Sequence, residues 1–311
     1  MAILVVGSVA FDSIETPFGR VDHCLGGAAT HFSLAASYFT DVRVIAVVGE
    51  DFLPTHEAVM TARGIDTRGL ERAPGLSFHW TGAYAGAMSE AQTLGTDLNV
   101  FEKFDPKIPA AYVDTEYLFL ANIDPALQAR VRKQMPSVKM VCGDTMNYWI
   151  KDHAANLAVV LRELDVLLIN DGEARMLSGE TNPVLAARRV MEMGPKALVV
   201  KHGEYGATAY FSERMFPGFA PRPFRAPALP LAEVVDPTGA GDSFAGGFYG
   251  YLASQPVVTP AVFRRAMFYG GVMGSFAVER FGTERLQAVT WEEIEARFAL
   301  FREISHLDDA V

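Results

Sequence analysis

Short apolar runs separated by helical patterns restrict the fold of this chain more than any other feature of its sequence. The runs are Ile3–Val6, Val42–Val48, Tyr117–Leu120, Val138–Val141, Val166–Ile169 and Ala197–Val200. Each reads as a strand covered on both faces. Helical patterns lie between many of them, over Ala28–Tyr38, Pro54–Arg63, Pro125–Gln134, Ala154–Leu164 and Asn182–Met193. Strand alternating with helix predicts an α/β fold with a mostly parallel central sheet and helices on both faces. Ligands in such folds sit beyond the carboxyl ends of the strands, so the residues just after each run carry the functional argument.

With 311 residues the chain has the length of one large α/β domain or two smaller ones. Its net charge of −10 argues against a nucleic-acid backbone or an anionic membrane as partner. Cys24 and Cys142 are the only cysteines and stand far apart, as expected of incidental thiols in a reducing cytoplasm. The first strand begins almost at Met1, leaving no room for a signal peptide. No apolar run approaches the roughly 20 residues of a membrane span. The expected location is therefore cytoplasmic.

The most informative single stretch is Val234-Val235-Asp236-Pro237-Thr238-Gly239-Ala240-Gly241-Asp242-Ser243. A strand end broken by Asp-Pro runs through a small-residue turn straight into a helical pattern over Ser243–Ala253. Backbone N–H groups at such a helix start lack intrahelical partners and, with the helix dipole, favour an anion. Gly239 and Gly241 permit a close approach and positive φ. Asp242 is then repelled by the anion it adjoins, which suits a carboxylate that takes a proton while the anion is transferred. Taken alone, Asp242 reads equally as a helix N-cap.

Other strand ends add polar groups. Asp12 and Asp51 follow the first two runs, and either alone is also an ordinary turn carboxylate. Gly26 and Gly27 open a helix rich in small residues, without the Gly-x-Gly-x-x-Gly spacing of a dinucleotide fold. Asn170 and Glu173 sit three apart at a helix start, where they suit a hydrated magnesium ion or, equally, a capping box. Lys201 ends another strand and Gly203 and Gly206 follow in a turn. Residues 75–104 break the alternation: Ser77–Tyr84 and Leu98–Phe101 read as a β-prone hairpin that forms a flap or a dimer edge. Phe78 and Trp80 are expected on one face of it. A helix over Phe263–Phe281 contains Gly270, Gly271 and Gly274.

No P-loop, nucleophile elbow, kinase-type His-Arg-Asp or zinc spacing occurs. What remains is an anion cradle with its own carboxylate, a magnesium pair and a polar acceptor side. Phosphoryl transfer to a hydroxyl needs that set.

Asp236-Pro237-Thr238-Gly239-Ala240-Gly241-Asp242-Ser243-Phe244 closely resembles the C-terminal signature of the ribokinase-like (PfkB) carbohydrate kinases. Gly26-Gly27, Asn170-x-x-Glu173 and Lys201-x-Gly203-x-x-Gly206 resemble further motifs of that family, in order along essentially the whole chain. The resemblance implies a single three-layer α/β/α kinase domain over 1–311 with a small β lid from about 11–24 and 74–104. In many members the lid also forms a homodimer interface. It further implies Asp242 as general base and Gly239, Ala240 and Gly241 as the anion hole. Asn170 and Glu173 would organise magnesium and the phosphates of ATP. Asp12, Gly26, Gly27 and Asp51 would hold the acceptor, and Lys201, Gly203, Gly206 and Gly270 would lie near the nucleotide. A potassium or other monovalent-cation site would involve Asp236, Thr238, Ala277, Arg280 and Gly282.

One position departs from the family. An Asn that commonly helps hold a sugar is His31 here, so a pentofuranose is not implied. The segment Ser77–Phe101 has no Lys or Arg, which disfavours a sugar phosphate. Phe78 and Trp80 suit stacking on a sugar face or a nucleobase. The leading expectation is an ATP-dependent kinase for a small sugar or polyol, with a nucleoside kinase as the alternative and a non-catalytic sugar-binding relative as the third.

Overall fold

Each apolar run is a strand because its side chains on both faces have helices to meet. The computed structural model describes residues 1–306 apart from 87, 89 and 221. Its strands are β1 Ala2–Val6, β2 Ala10–Thr16, β3 Gly19–Gly26, β4 Asp41–Val48, β5 Asp66–Arg72, β6 His79–Ala83 and β7 Gln92–Asp97. They continue with β8 Tyr117–Leu120, β9 Met140–Asp144, β10 Val166–Asn170, β11 Ala197–Lys201, β12 Ala207–Phe211 and β13 Phe224–Ala226. The helices are α1 Ala28–Ala36, α2 Pro54–Thr61, α3 Pro125–Gln134, α4 Asn147–Asp152, α5 Ala154–Leu161 and α6 Asp171–Ser178. After them come α7 Pro183–Glu192, α8 Ala240–Ser254, α9 Pro260–Ala277, α10 Glu284–Ala288 and α11 Trp291–Ser305.

A 9-stranded sheet runs in the order β13-β12-β11-β10-β9-β8-β1-β4-β5. It is parallel from β11 to β5, with β12 and β13 antiparallel at one edge. Alternation along β1 divides the core. Ile3 and Val5 belong to one core cluster with Phe32 of α1, Phe248 of α8 and Met273 of α9, whereas Leu4 and Val6 belong to another with Val131 of α3, Leu157 of α5 and Val190 of α7. This is the three-layer α/β/α arrangement. Glycines let α8 lie close to α1: a Cβ on Gly246 would stand 2.3 Å from the Phe32 carbonyl oxygen.

A second, 4-stranded sheet has the order β3-β2-β6-β7. Strands β2 and β6 leave the main body side by side, in parallel, with the Phe11 N–H on the Phe78 carbonyl at 2.9 Å. The outer strands β3 and β7 are largely exposed.

Several boundaries differ from expectation. The run at Val138–Val141 becomes β9 two residues later and continues through Asp144, because Cys142–Asp144 pair with β10. The helix expected over Phe263–Phe281 runs from Pro260, capped by Thr259, to Ala277. Leu98–Phe101 is no strand; Asn99–Lys103 form a 3₁₀ turn, and β7 precedes it in the polar stretch that reads as loop. Phe78 and Trp80 do not act as one aromatic face. Phe78 lies ahead of β6 and stacks on Phe101 at 5.4 Å, while the Trp80 ring lies close over Gly82 and its Nε1 donates to Thr93.

Candidate active site

The polar groups expected to act together meet where strands β8–β11 end and α8 begins. Gly239 is the residue before α8 and adopts the left-handed conformation, φ 71°. A Cβ there would also stand 2.3 Å from the His31 ring, so the turn needs glycine twice over. The Ala240 N–H is engaged by the Pro237 carbonyl at 3.2 Å. Among the described residues the Gly239 and Gly241 amides have no such partner, so the anion cradle narrows to those two glycines. Asp242 follows in the first helical turn, partly open to the cleft. Burial raises its pKa, and Lys201 acts against that rise. Lys201 Nζ lies beside the turn, 2.9 Å from where a Gly241 Cβ would be.

On the acceptor side, Asp12 is buried on β2 under the Gly26 backbone, where any side chain at residue 26 would collide with its carboxylate. Burial, then the nearby charge of Asp236, pushes Asp12 up to about 7; a Gly27 backbone hydrogen bond opposes this, and Asp242 adds to the rise. Gly27, φ 93°, brings the chain against the Ser8 carbonyl and starts α1. His31 is buried beneath the anion turn with neither ring nitrogen hydrogen-bonded, and burial pushes its pKa down to about 4, so the ring is neutral. Asp51 is engaged by neighbouring protein groups. Its Oδ1 accepts from the Ser77 N–H and hydroxyl, at 2.8 and 2.7 Å, tying the main body to the second sheet's connecting segment. Its Oδ2 faces His23, 3.9 Å away.

Asn170 and Glu173 form the capping box: Asn170 Oδ1 accepts from the Glu173 N–H at 2.7 Å, and Glu173 Oε2 accepts from the Asn170 N–H at 2.8 Å. Both readings of this pair therefore remain compatible, since one Glu173 oxygen stays free. Burial raises the Glu173 pKa against the pull of Lys201. The sequence reading missed Asp144, at the end of β9. It is buried, its Oδ1 has no hydrogen-bond partner, and burial followed by Asp242 holds its pKa well above the usual carboxylate range. Asp144, Glu173 and Asp242 thus face one ammonium, Lys201, an excess of negative charge that suits a divalent cation. Among the described residues no three acidic, His or Cys side chains are grouped so as to hold a metal ion by themselves.

Two further expectations resolve differently. Asp236 is buried and ties the loops together, accepting from the Thr238 N–H at 2.9 Å and the Gly282 N–H at 2.8 Å. The segments carrying Ala277, Arg280 and Gly282 are thereby held against the anion turn. Gly270 lies in the packing between α8 and α9. A Cβ there would meet the Phe244 carbonyl at 2.9 Å, so this glycine serves the packing of α9 on α8. Gly203 and Gly206 both have positive φ, and Gly206 brings the turn after β11 against Ala226. Tyr84, also missed, reaches from the second sheet to Thr238.

Among the described residues no helix is long and apolar enough to cross a membrane. The chain is 28% identical over 265 residues to a cytidine kinase of Thermococcus kodakarensis, covering 82% of this chain and 90% of that protein. It is 26% identical over 308 residues to a nucleoside kinase of Methanothermobacter thermautotrophicus, covering 91% of each. Its fold matches the crystal structure of aminoimidazole riboside kinase from Salmonella enterica, complexed with aminoimidazole riboside and an ATP analogue. That match has a TM-score of 0.74 at 17% identity and covers 96% of this chain and 100% of that one. The pfkB carbohydrate kinase family model matches residues 3–288, from β1 through the Gly239–Asp242 turn to the end of α10. Strand ends, anion turn and family match all lead to one assignment: the chain belongs to the pfkB family of carbohydrate kinases.

Proposed function

We propose that this kinase transfers the γ-phosphoryl group of ATP to a hydroxyl of a nucleoside. The observation that carries the transfer is the placement of Asp242, partly open, one residue beyond the Gly241 amide and within electrostatic reach of Lys201. Asp242 takes the proton of the acceptor hydroxyl as its oxygen attacks the γ-phosphorus. The bond from that phosphorus to the β,γ-bridging oxygen breaks, and ADP leaves with that electron pair. The Gly239 and Gly241 amides and Lys201 stabilise the charge on the moving group. Asn170, Glu173 and Asp144 would hold magnesium through its waters, and the ion would neutralise the donor phosphates. Asp12 and His31 would fix the acceptor, and the second sheet would act as a lid over it.

The nucleoside preference is supported by the relatives, a cytidine kinase and a nucleoside kinase, and by the riboside kinase whose fold it shares. It replaces the free sugar or polyol as leading reading. An acceptor screen with ATP and magnesium, reading ADP release across nucleosides, free sugars, polyols and sugar phosphates, tests it. Nucleoside-dependent release is expected; release with sugars and none with nucleosides would return the assignment to a sugar kinase.

A further inference from the structure

Among the described residues one side-chain hydrogen bond joins the second sheet to the anion turn. Tyr84 follows β6, its N–H fixed to the Glu15 carbonyl of β2 at 2.8 Å. From there its hydroxyl crosses to the turn, where Thr238 Oγ1 donates to it at 3.2 Å. That bond uses a lone pair of the phenol and leaves its proton uncommitted; among the described residues Thr238 is its only hydrogen-bond partner. Asp236, Asp12 and Asp242 all lie within electrostatic reach of the ring.

We propose that Tyr84 is a catalytic residue supplied by the second sheet, donating its hydroxyl proton as a hydrogen bond to the phosphoryl group in transfer. The inference rests on the kinase reading and adds a group to its machinery. A phenol suits the place better than a cation: it adds a donor beside the Gly239 and Gly241 amides without forming an ion pair with Asp12 or Asp242. Burial above all pushes its pKa up to about 12, so it remains a neutral donor throughout the working range. The donor is supplied by the same side chain that joins the sheet to the turn.

The test is Tyr84→Phe, which keeps the ring and removes the donor. The expected result is a fall in kcat of about 10²-fold, the scale of losing one oxyanion-type donor, with the KM for ATP and the melting temperature little changed. If kcat is retained and only the acceptor KM rises, Tyr84 merely closes the sheet and the proposal is overturned. A second variant carries 3,5-difluorotyrosine at residue 84, which preserves shape but makes the hydroxyl more acidic. Its alkaline limb of kcat is expected to move to lower pH; a profile superimposable on the parent's overturns the proposal even if Tyr84→Phe fails to fold. The parent's own turnover is the control: a parent without transferase activity overturns the kinase reading itself, and this inference with it.

Discussion

A carboxylate can accept hydrogen bonds from an acceptor's hydroxyls at full strength only when ionised, and Asp12 keeps its proton up to about pH 7. The acceptor KM is therefore expected to fall as pH rises from 6 to 8, and to lose most of that dependence in Asp12→Asn. A KM–pH profile of the parent that is flat, or rises over this range, would remove Asp12 from acceptor binding. At this scale the sequence was legible where chemistry is local. Gly239, Gly241 and Asp242 are neighbours in the chain, so their turn could be read directly. Asp144 and Tyr84 could not: each follows an ordinary β-prone stretch, and only strand order or the crossing of the second sheet brings them to Asp242 and Thr238. The contact of Asp51 was hidden for the same reason, since its partner Ser77 stands far along the chain.

Elements followed the same division. Central strands announced themselves because both faces are buried, which demands unbroken apolar runs. The edge strand β5 and the outer strands β3 and β7 carry Asp, Arg, Gln and Thr toward solvent, and no apolar pattern marks them. The glycines of α9 show what a located helix leaves open, since only the packing shows what they touch. Gly270 lies against Phe244, Gly271 against the Phe301 ring and Gly274 against Ala240, so all three are spacers between packed elements. Gly270→Ala is accordingly expected to destabilise the fold by roughly 1–3 kcal/mol, the usual cost of overpacking, with the KM for ATP unchanged. Urea unfolding and ATP saturation curves check this. A raised ATP KM at unaltered stability would restore Gly270 to the nucleotide site.

Across the whole molecule, catalysis is prepared at the expense of stability. Asp12, Asp144, Glu173 and Asp236 are buried and Asp242 is partly so; all five have raised pKa values, and ionising them opposes folding. A raised carboxyl pKa means that the native state holds protons the unfolded chain has already lost. Its stabilisation is complete at acid pH and disappears as pH rises through the folded value. His31 has the opposite sign: its lowered pKa makes stability rise with pH between about 4 and 6.5. The two effects offset each other until His31 is neutral in both states. Between pH 6.5 and 8 His31 opposes the carboxyls only weakly, being already half neutral in the unfolded chain, and the ligand-free enzyme is expected to lose about 1 kcal/mol through Asp12. Urea unfolding at those two pH values measures the loss. Equal stability in the parent, or a loss that persists undiminished in Asp12→Asn, would contradict the assignment. The charge imbalance behind this behaviour was visible in the sequence only as scattered acidic residues; the sheet order is what concentrates them.

The central claim is that Asp242 takes the proton of the hydroxyl that receives the phosphoryl group. Steady-state turnover of Asp242→Asn with the best acceptor, beside its affinity for ADP, tests that claim most directly. A kcat lowered by about 10²–10⁴-fold with ADP binding nearly unchanged is predicted. Turnover close to that of the parent would contradict it.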